Sequence, residues 1–366
     1  MRPRERSETG EQDLFRSRLD QIIEMKHPLV RLGRTVDWRF LEERFGEVYS
    51  DDPGRPPLPT RLMAGLAILK HTYDLSDEVL CERWVENPYY QHFCGEEFFQ
   101  HRLVFDRSSL TRWRNRMGEE RLAALIQESL SVATKTQAIK PPELSRVIVD
   151  TTVQPKNVTF PTDAKLLNRA REKLVRLAQR HGVSLRQSYA RLGKFALIQH
   201  QRYAHAKQFK RANRMLKTLR TYLGRVIRDV GRKIAGNGAL EAAFAKLLAL
   251  ARRVREQQQQ RQRGPKVYSL HAPEVECIGK GKAHRPYEFG VKVSVATTIS
   301  AVEPVIGHLK AEHRMGRNYL WFRHGDAANA VLAAAGYNFR RLIRWLRLLV
   351  CLFLTALFSG VRLNPA

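Results

Sequence analysis

Apolar residues recur every three or four positions through residues 1–138, a spacing that predicts a helical N-terminal domain. The segment PPLPTRLMAGLAILKHTYDL carries a stripe of Leu62, Leu66 and Leu69 behind a proline-rich approach. In SDEVLCERWVENPYY, Ser76 stands where a helix cap belongs. Asp77 and Glu78 follow in the first turn, where the helix dipole favours acids. Leu80 and Trp84 share one face of that helix, and Asn87-Pro88 ends it. FDRSSLTRWRNRMGEERL predicts another helix capped by Asp106, with Leu110, Trp113 and Met117 inward and Arg112, Arg114 and Arg116 outward. Compact helices with an arginine-studded late helix suit a DNA-binding module, and equally a plain helical bundle.

The period changes at IKPPELS, which breaks helix. In RVIVDTTVQ, the β-branched run Val147, Ile148, Val149 predicts a strand buried on both faces with Asp150 at its end, so residues 139–160 hold the first core strand. Residues 161–266 return to a helical period. Leu167, Ala170, Leu174, Leu177 and Ala178 line one helix; Phe209, Ala212, Leu216, Leu219, Leu223 and Val226 line a second. Past Gly264-Pro265 the period becomes two. In EFGVKVSVATT, Phe289, Val291, Val293 and Val295 alternate with smaller or polar residues, and EVECIGKGKAHRPY reads as a strand and turn, giving core strands over 267–300. Residues 301–366 are helical again, through AVEPVIGHLKAEHRM and GDAANAVLAAAGYNFRRLIRWL. The fold class is thus α+β and mostly helical.

From Leu348 to Val361 the chain runs 14 residues without a charge. That is short of the roughly 18 needed to span a membrane. Arg340, Arg341, Arg344 and Arg347 crowd its start, so a buried or partner-facing helix is expected, with no membrane as partner. The amino-terminal MRPRERSETGEQDLF has no apolar core of a signal peptide. Cys81, Cys94, Cys277 and Cys351 form no CxxC pair, which argues against a zinc ribbon or dithiol centre; a reducing cytoplasm is the default location. A hydrophobic content of 43 % excludes a wholly disordered chain.

Charge sharpens the picture. The chain carries 64 Lys and Arg against 36 Asp and Glu, a net +28. Between Pro161 and Lys266, 27 Lys and Arg stand against 5 acids, so this segment alone holds +22. Lys210, Arg211, Arg214, Lys217, Arg220 and Arg225 occupy the polar faces of the second helix. Such density repels itself unless a polyanion neutralises it, and long basic amphipathic helices fit a nucleic-acid backbone. The four glutamines at 257–260 need be no more than a polar helix end or linker. GKGK is too short for a Walker loop and suits a hairpin turn.

Chemistry could reside in Asp150, costly to ionise in a buried strand unless paired or metal-bound, and in Glu303, the one acid in AVEPVIGHLK. A strand Asp and a helix Glu at one sheet edge can hold divalent magnesium. Equally, the Glu can serve the helix dipole and the Asp can satisfy turn amides. His200 with His205, and His308 with His313, are five apart and do not stack on one helix face.

The strings VIVDTTVQPKNVTFPTDAKLLNRA, RYAHAKQFKRANR, YSLHAPEVECIGKGKAHRPYEFGVKVSVATT, AVEPVIGHLKAE and GDAANAVLAAAGYNFRRLIRWL strongly resemble bacterial insertion-sequence transposases of the IS-five type. The resemblance extends to DLSDEVLCERWVENPYYQHFCG and spans nearly the whole chain. It implies an RNase H-like catalytic core with a large basic helical insertion, and DDE chemistry with Mg2+, or Mn2+ in its place. Asp150 matches the first catalytic Asp, Glu303 the catalytic Glu, and Lys310, seven positions on, a DNA-contacting Lys. Asp150 and Glu303 would be the metal ligands. The implied partner is double-stranded DNA, both the element's terminal inverted repeats and its target. Candidate DNA contacts are Lys310, Arg211, Arg214, Lys217, Arg220, Arg112 and Arg116. A homo-oligomer, and a nucleoid location when bound, are implied as well.

One departure stands against the match. The family's second Asp belongs between the segment ending in ATT and the one holding the Glu, yet here Ser300 runs directly into Ala301. The signature's Tyr and Arg positions are Ala296 and Ile299. An internal deletion near Ser300 explains all three losses; Asp326, in an unrelated string, does not replace the missing Asp. The family's sheet order, 3-2-1-4-5, would lose strands 4 and 5, the core sheet would be incomplete, and strand 1 would become an exposed, aggregation-prone edge. The expectation is a transposase unable to cut; the alternative is a non-catalytic DNA-binding remnant.

Overall fold

The computed structural model describes residues 18–49, 57–257, 266–279, 286–298 and 302–360. Its helices are α1 (Leu19–Ile22), α2 (Pro28–Thr35), α3 (Trp38–Gly46), α4 (Thr60–Thr72), α5 (Asp77–Glu86), α6 (Pro88–Phe93), α7 (Ser108–Lys135), α8 (Asp163–Arg180), α9 (Ala190–His205), α10 (Phe209–Ile234), α11 (Gly238–Glu256), α12 (Val302–Glu312) and α13 (Phe322–Gly360). The strands are β1 (Ile148–Pro155), β2 (Glu276–Gly279) and β3 (Tyr287–Thr297). They form one sheet in the order β1-β3-β2, and β2 pairs with β3 antiparallel, Cys277 opposite Phe289. The chain divides into two compact units, Met1–Pro155 with Lys292–Ala366, and Lys156–Val291.

The first unit draws its core from both ends of the chain. Trp84, Phe45, Phe93 and Phe339 are fully buried there, and α13 packs against α7, α4 and α2. The predicted punctuation is visible at atomic level. Ser76 Oγ accepts the Val79 N–H at 3.2 Å, and Asn87 closes α5 while its side chain caps α6. The stripe expected on α4 is instead burial all round: every residue from Leu62 to Thr72 is buried, because α3, α5, α7 and α13 enclose the helix. Asp106 lies one residue before the cap position of α7, and its carboxylate accepts the Ser108 N–H at 2.8 Å. Gly118, with φ +67°, kinks α7 just after its arginine-rich turns, a conformation open to glycine and costly for other residues.

The strand expected to be buried on both faces is not. Val147, Ile148 and Val149 are 54 %, 38 % and 61 % exposed, while Thr152, Val153 and Gln154 are buried. In the sheet among the described residues β1 lies at an edge, and the exposure is confined to its first half. Its second half is the buried one: Gln154 Nε2 donates to the Asp326 carbonyl at 3.2 Å, and the Pro155 carbonyl accepts from Asn318 N at 2.8 Å. In β3 the alternation holds from Val291 onward, with Val291, Val293 and Val295 half-buried and Lys292, Ser294 and Ala296 exposed; before it Gly290 is buried beside a half-buried Phe289, against the expected order.

The second unit is a bundle of α8, α9, α10 and α11 around a leucine-rich seam. Leu167, Ala170, Leu174, Ala178, Leu219, Leu223 and Val226 are all buried, as the spacing predicts. Each such leucine contributes roughly 1.5–3 kcal/mol by leaving water. Phe209 departs from the stripe. It opens α10 and is 63 % exposed; burial on that helix begins at Ala212. Gln257 closes α11: its side-chain amide donates to the Val267 carbonyl at 2.9 Å and accepts the Val267 N–H at 3.0 Å. The remaining glutamines, most of GKGK and the junction at Ser300 lie outside the described residues, as do the side chains of most of the Leu348–Val361 stretch. Among the described residues no helix is long and apolar enough to cross a membrane.

Candidate functional site

Asp150 sits in the exposed half of β1, where one of its carboxylate oxygens accepts the Thr151 N–H at 2.7 Å. Glu303 is exposed in the first turn of α12. The two elements pack together within the first unit. Val305 and Leu309 anchor α12 in a small core with Met315 and Ala333, against which Val295 of β3 rests. Lys310 lies in the last turn of α12, and its carbonyl accepts the Gly316 N–H at 3.1 Å. Among the described residues no group of three His, Cys, Asp or Glu side chains comes close enough to hold a metal ion. Two of the histidines are engaged locally. His308 pairs with Glu312 at 3.0 Å, and the buried His313 meets the His71 carbonyl at 2.7 Å. Asp326 is buried and accepts from Asn318 Nδ2 at 2.5 Å, which ties α13 to the loop before it.

The basic residues divide into two kinds. On α10, Arg211, Arg214 and Lys217 are exposed and Arg220 is half-buried, because the apolar stripe turns the polar face outward. The Arg211 guanidinium lies 5.9 Å from the Tyr203 ring centroid. Arg171 is different. It is 2 % exposed and is held by the Ser188 carbonyl at 2.9 Å and Asn168 Oδ1 at 3.0 Å, so it organises the bundle and offers nothing to a ligand. The carboxylate of buried Asp229 likewise turns inward and accepts the Arg186 N–H at 2.8 Å.

On α7, Arg112 and Arg116 face solvent as expected. Arg112 donates to Ser108 Oγ, and Arg116 lies 5.2 Å from the Tyr49 ring centroid. Arg114 corrects the outward reading. It is buried and grips Asp77 with two hydrogen bonds, Nη1 to Oδ1 at 3.0 Å and Nη2 to Oδ2 at 2.8 Å. Lys70 Nζ reaches the same carboxylate at 2.5 Å. Burial alone would raise the Asp77 carboxyl, but Arg114 and Lys70 outweigh it and hold the group well below the usual carboxylate range. Burial, with Arg114 nearby, lowers the Lys70 amine to about 8. This cluster escaped the sequence reading. Its one signal, an acid in the first turn of α5, has an ordinary explanation in the helix dipole.

Residues 17–116 match the model of a family described as a transposase domain (DUF772). A curated relative from Rhizobium meliloti, "Uncharacterized protein ORF8 in nfe locus", is 52 % identical over 209 residues, which are 57 % of this chain and 100 % of the relative. The chain carries a transposase domain of that family over residues 17–116. No solved structure matches it. The matched domain holds Arg112, Arg116 and the Lys70–Asp77–Arg114 cluster; Asp150, Glu303 and the basic bundle lie beyond it.

Proposed function

We propose that the chain is an insertion-sequence transposase of the IS-five type whose RNase H-like core has lost the segment bearing the second Asp, leaving a protein that binds duplex DNA without cutting it. The observation that carries this reading is the donor set. Two magnesium ions in one site bring four positive charges and call for several carboxylate oxygens, one of them bridging. Asp150 and Glu303 supply two carboxylates on neighbouring elements, and no third metal-ligating side chain joins a group with them among the described residues. These residues do not fit a two-metal centre, and we derive no cleavage step through one.

DNA contact rests on different residues. The exposed Arg211, Arg214 and Lys217 belong to a segment of net +22, and each Lys or Arg that meets a phosphate releases counterions. Arg112 and Arg116 on α7 offer a second, smaller set, and Lys310 would act beside Glu303. Self-association, magnesium as the intact family's metal, and a nucleoid location when bound are parts of the same reading.

The test is a cleavage assay on DNA carrying the element's ends, with magnesium or manganese, comparing this chain with one given the missing segment of an intact relative. Cutting by the repaired chain alone is the expected result. Metal-dependent cutting by the unmodified chain, abolished in Asp150→Ala, would show that another acid completes the site and would overturn the deletion reading.

A further inference from the structure

The second unit contains a helix turned the unusual way round. α9 docks on its bundle through small residues, with only Gly193 and Ala196 buried. The fit at Gly193 is close: a Cβ there would lie 2.7 Å from Arg171 Nε and 2.9 Å from Asn168 Oδ1. Leu197 packs partly against the same core, but three other large apolar side chains point away. Leu192, Phe195 and Ile198 are 44 %, 60 % and 37 % exposed, spaced three apart on the outer face. Arg191, Lys194 and Arg202, all exposed, flank them. A surface helix normally buries its apolar stripe and presents charge, and an outward apolar patch rimmed by polar groups marks an interaction site.

The charge around this patch decides what can cover it. A second copy of the same face would bring another segment of +22 against the first and be repelled. The occupant must be anionic along its length and apolar at intervals. Duplex DNA meets the first requirement and fails the second, because its base faces are stacked inside. Single-stranded DNA meets both: its phosphates suit the lysine and arginine flanks, and its unstacked bases suit a phenylalanine ring. At the end of the same helix, Tyr203 already lies beneath the Arg211 guanidinium, the arrangement of ring and cation that single-strand grooves use.

We propose that the outer face of α9, centred on Phe195, is a single-stranded DNA platform on which an unpaired base stacks. The proposal rests on the DNA-binding reading above and deepens it. Duplex is held by the outward cations of the bundle, and a frayed or unpaired stretch is held by α9.

The test uses the full chain and fluorescence anisotropy with a labelled single strand of about twenty nucleotides and the duplex of the same sequence. Phe195→Ala should weaken single-strand binding about tenfold, the effect of one lost stack, and change duplex binding by less than about twofold. Phe195→Trp should retain single-strand affinity, which separates stacking from damage to the fold. Equal weakening of both probes, no change on the single strand, or a clear preference for RNA of the same sequence would overturn the proposal. So would Phe195-dependent binding to vesicles of anionic phospholipid, or Phe195-dependent self-association in sedimentation, each of which assigns the face another occupant. Salt-sensitive duplex binding without a Phe195 effect would remove this platform alone. Failure of both probes to bind at low salt would remove the DNA-binding reading as well.

Discussion

The two units of this chain use the same side chains for opposite purposes. In the helical unit, Lys70 and Arg114 are buried around Asp77, and their charge is spent inside the protein. In the basic unit, leucines fill the seam between α8, α10 and α11, and Arg211, Arg214 and Lys217 stay in water. A buried cation with a bidentate partner is part of the fold, and its loss strands a carboxylate. An exposed cation among other cations contributes little to folding and opposes it through repulsion. Removing one of these exposed α10 arginines should therefore act with the opposite sign to removing Arg114.

The largest expected effect lies in the outward charges. Duplex affinity should fall by about a thousandfold or more between roughly 50 and 200 mM salt, as expected when several phosphates are neutralised together. Replacing Arg211, Arg214 and Lys217 with Gln should lower the slope of log affinity against log salt by about three. An unchanged slope in that triple variant would place the phosphate contacts elsewhere. Next in size is the inward charge. Arg114→Leu should cost about 3–5 kcal/mol in denaturant unfolding, because it leaves Asp77 short of its strongest partner. Arg112→Leu, two residues away and exposed, should stay within about 0.5 kcal/mol. Similar losses for both would erase the distinction between the two kinds of arginine.

The pH dependence sharpens the same contrast. Arg114 and Lys70 hold the Asp77 carboxyl below its unfolded value of about 3.9, so the native state binds fewer protons than the unfolded state. The stabilisation from this cluster is complete above that value and is lost as the pH falls through it toward the folded pKa. Asp77→Asn cannot titrate. Its deficit in unfolding free energy against the natural chain should be widest near pH 6 and narrow as the pH drops to about 3. A constant deficit would mean that Asp77 matters for its shape and not its charge.

Local features were legible in the sequence because local physics sets them. The Ser76 cap, the inward Leu110, Trp113 and Met117, and the stripes of α8 and α10 all follow from helical spacing or capping chemistry. Features that depend on a neighbouring element were not. Arg114 reads as outward until α5 places Asp77 beside it. Val147, Ile148 and Val149 read as a buried strand because β-branched runs usually are one, and only contacts with distant residues such as Asn318 and Asp326 decide that the second half of β1 is the covered half. α4 reads as one-sided because nothing in its own residues reveals the four helices around it. The candidate site was legible by resemblance alone. Asp150 and Glu303 are ordinary acids at ordinary positions, and their composition and exposure would not have singled them out.

The smallest expected effect has the most informative sign. Arg214 is exposed on α10, with Lys210 four residues before it and Lys217 three residues after it on neighbouring turns. Like charges at these spacings oppose the helix by roughly 0.2–0.5 kcal/mol each. Glutamine has nearly the helix propensity of arginine, so Arg214→Gln removes the charge and little else. The variant should be more stable than the natural chain by a few tenths of a kcal/mol at low salt. In about 1 M salt the screening length contracts to roughly 3 Å, and the gain should vanish. Thermal unfolding at the two salt concentrations reads this directly. A loss of stability at low salt would mean that Arg214 has an attractive partner and that the bundle, like the helical unit, uses some of its outward charge for folding.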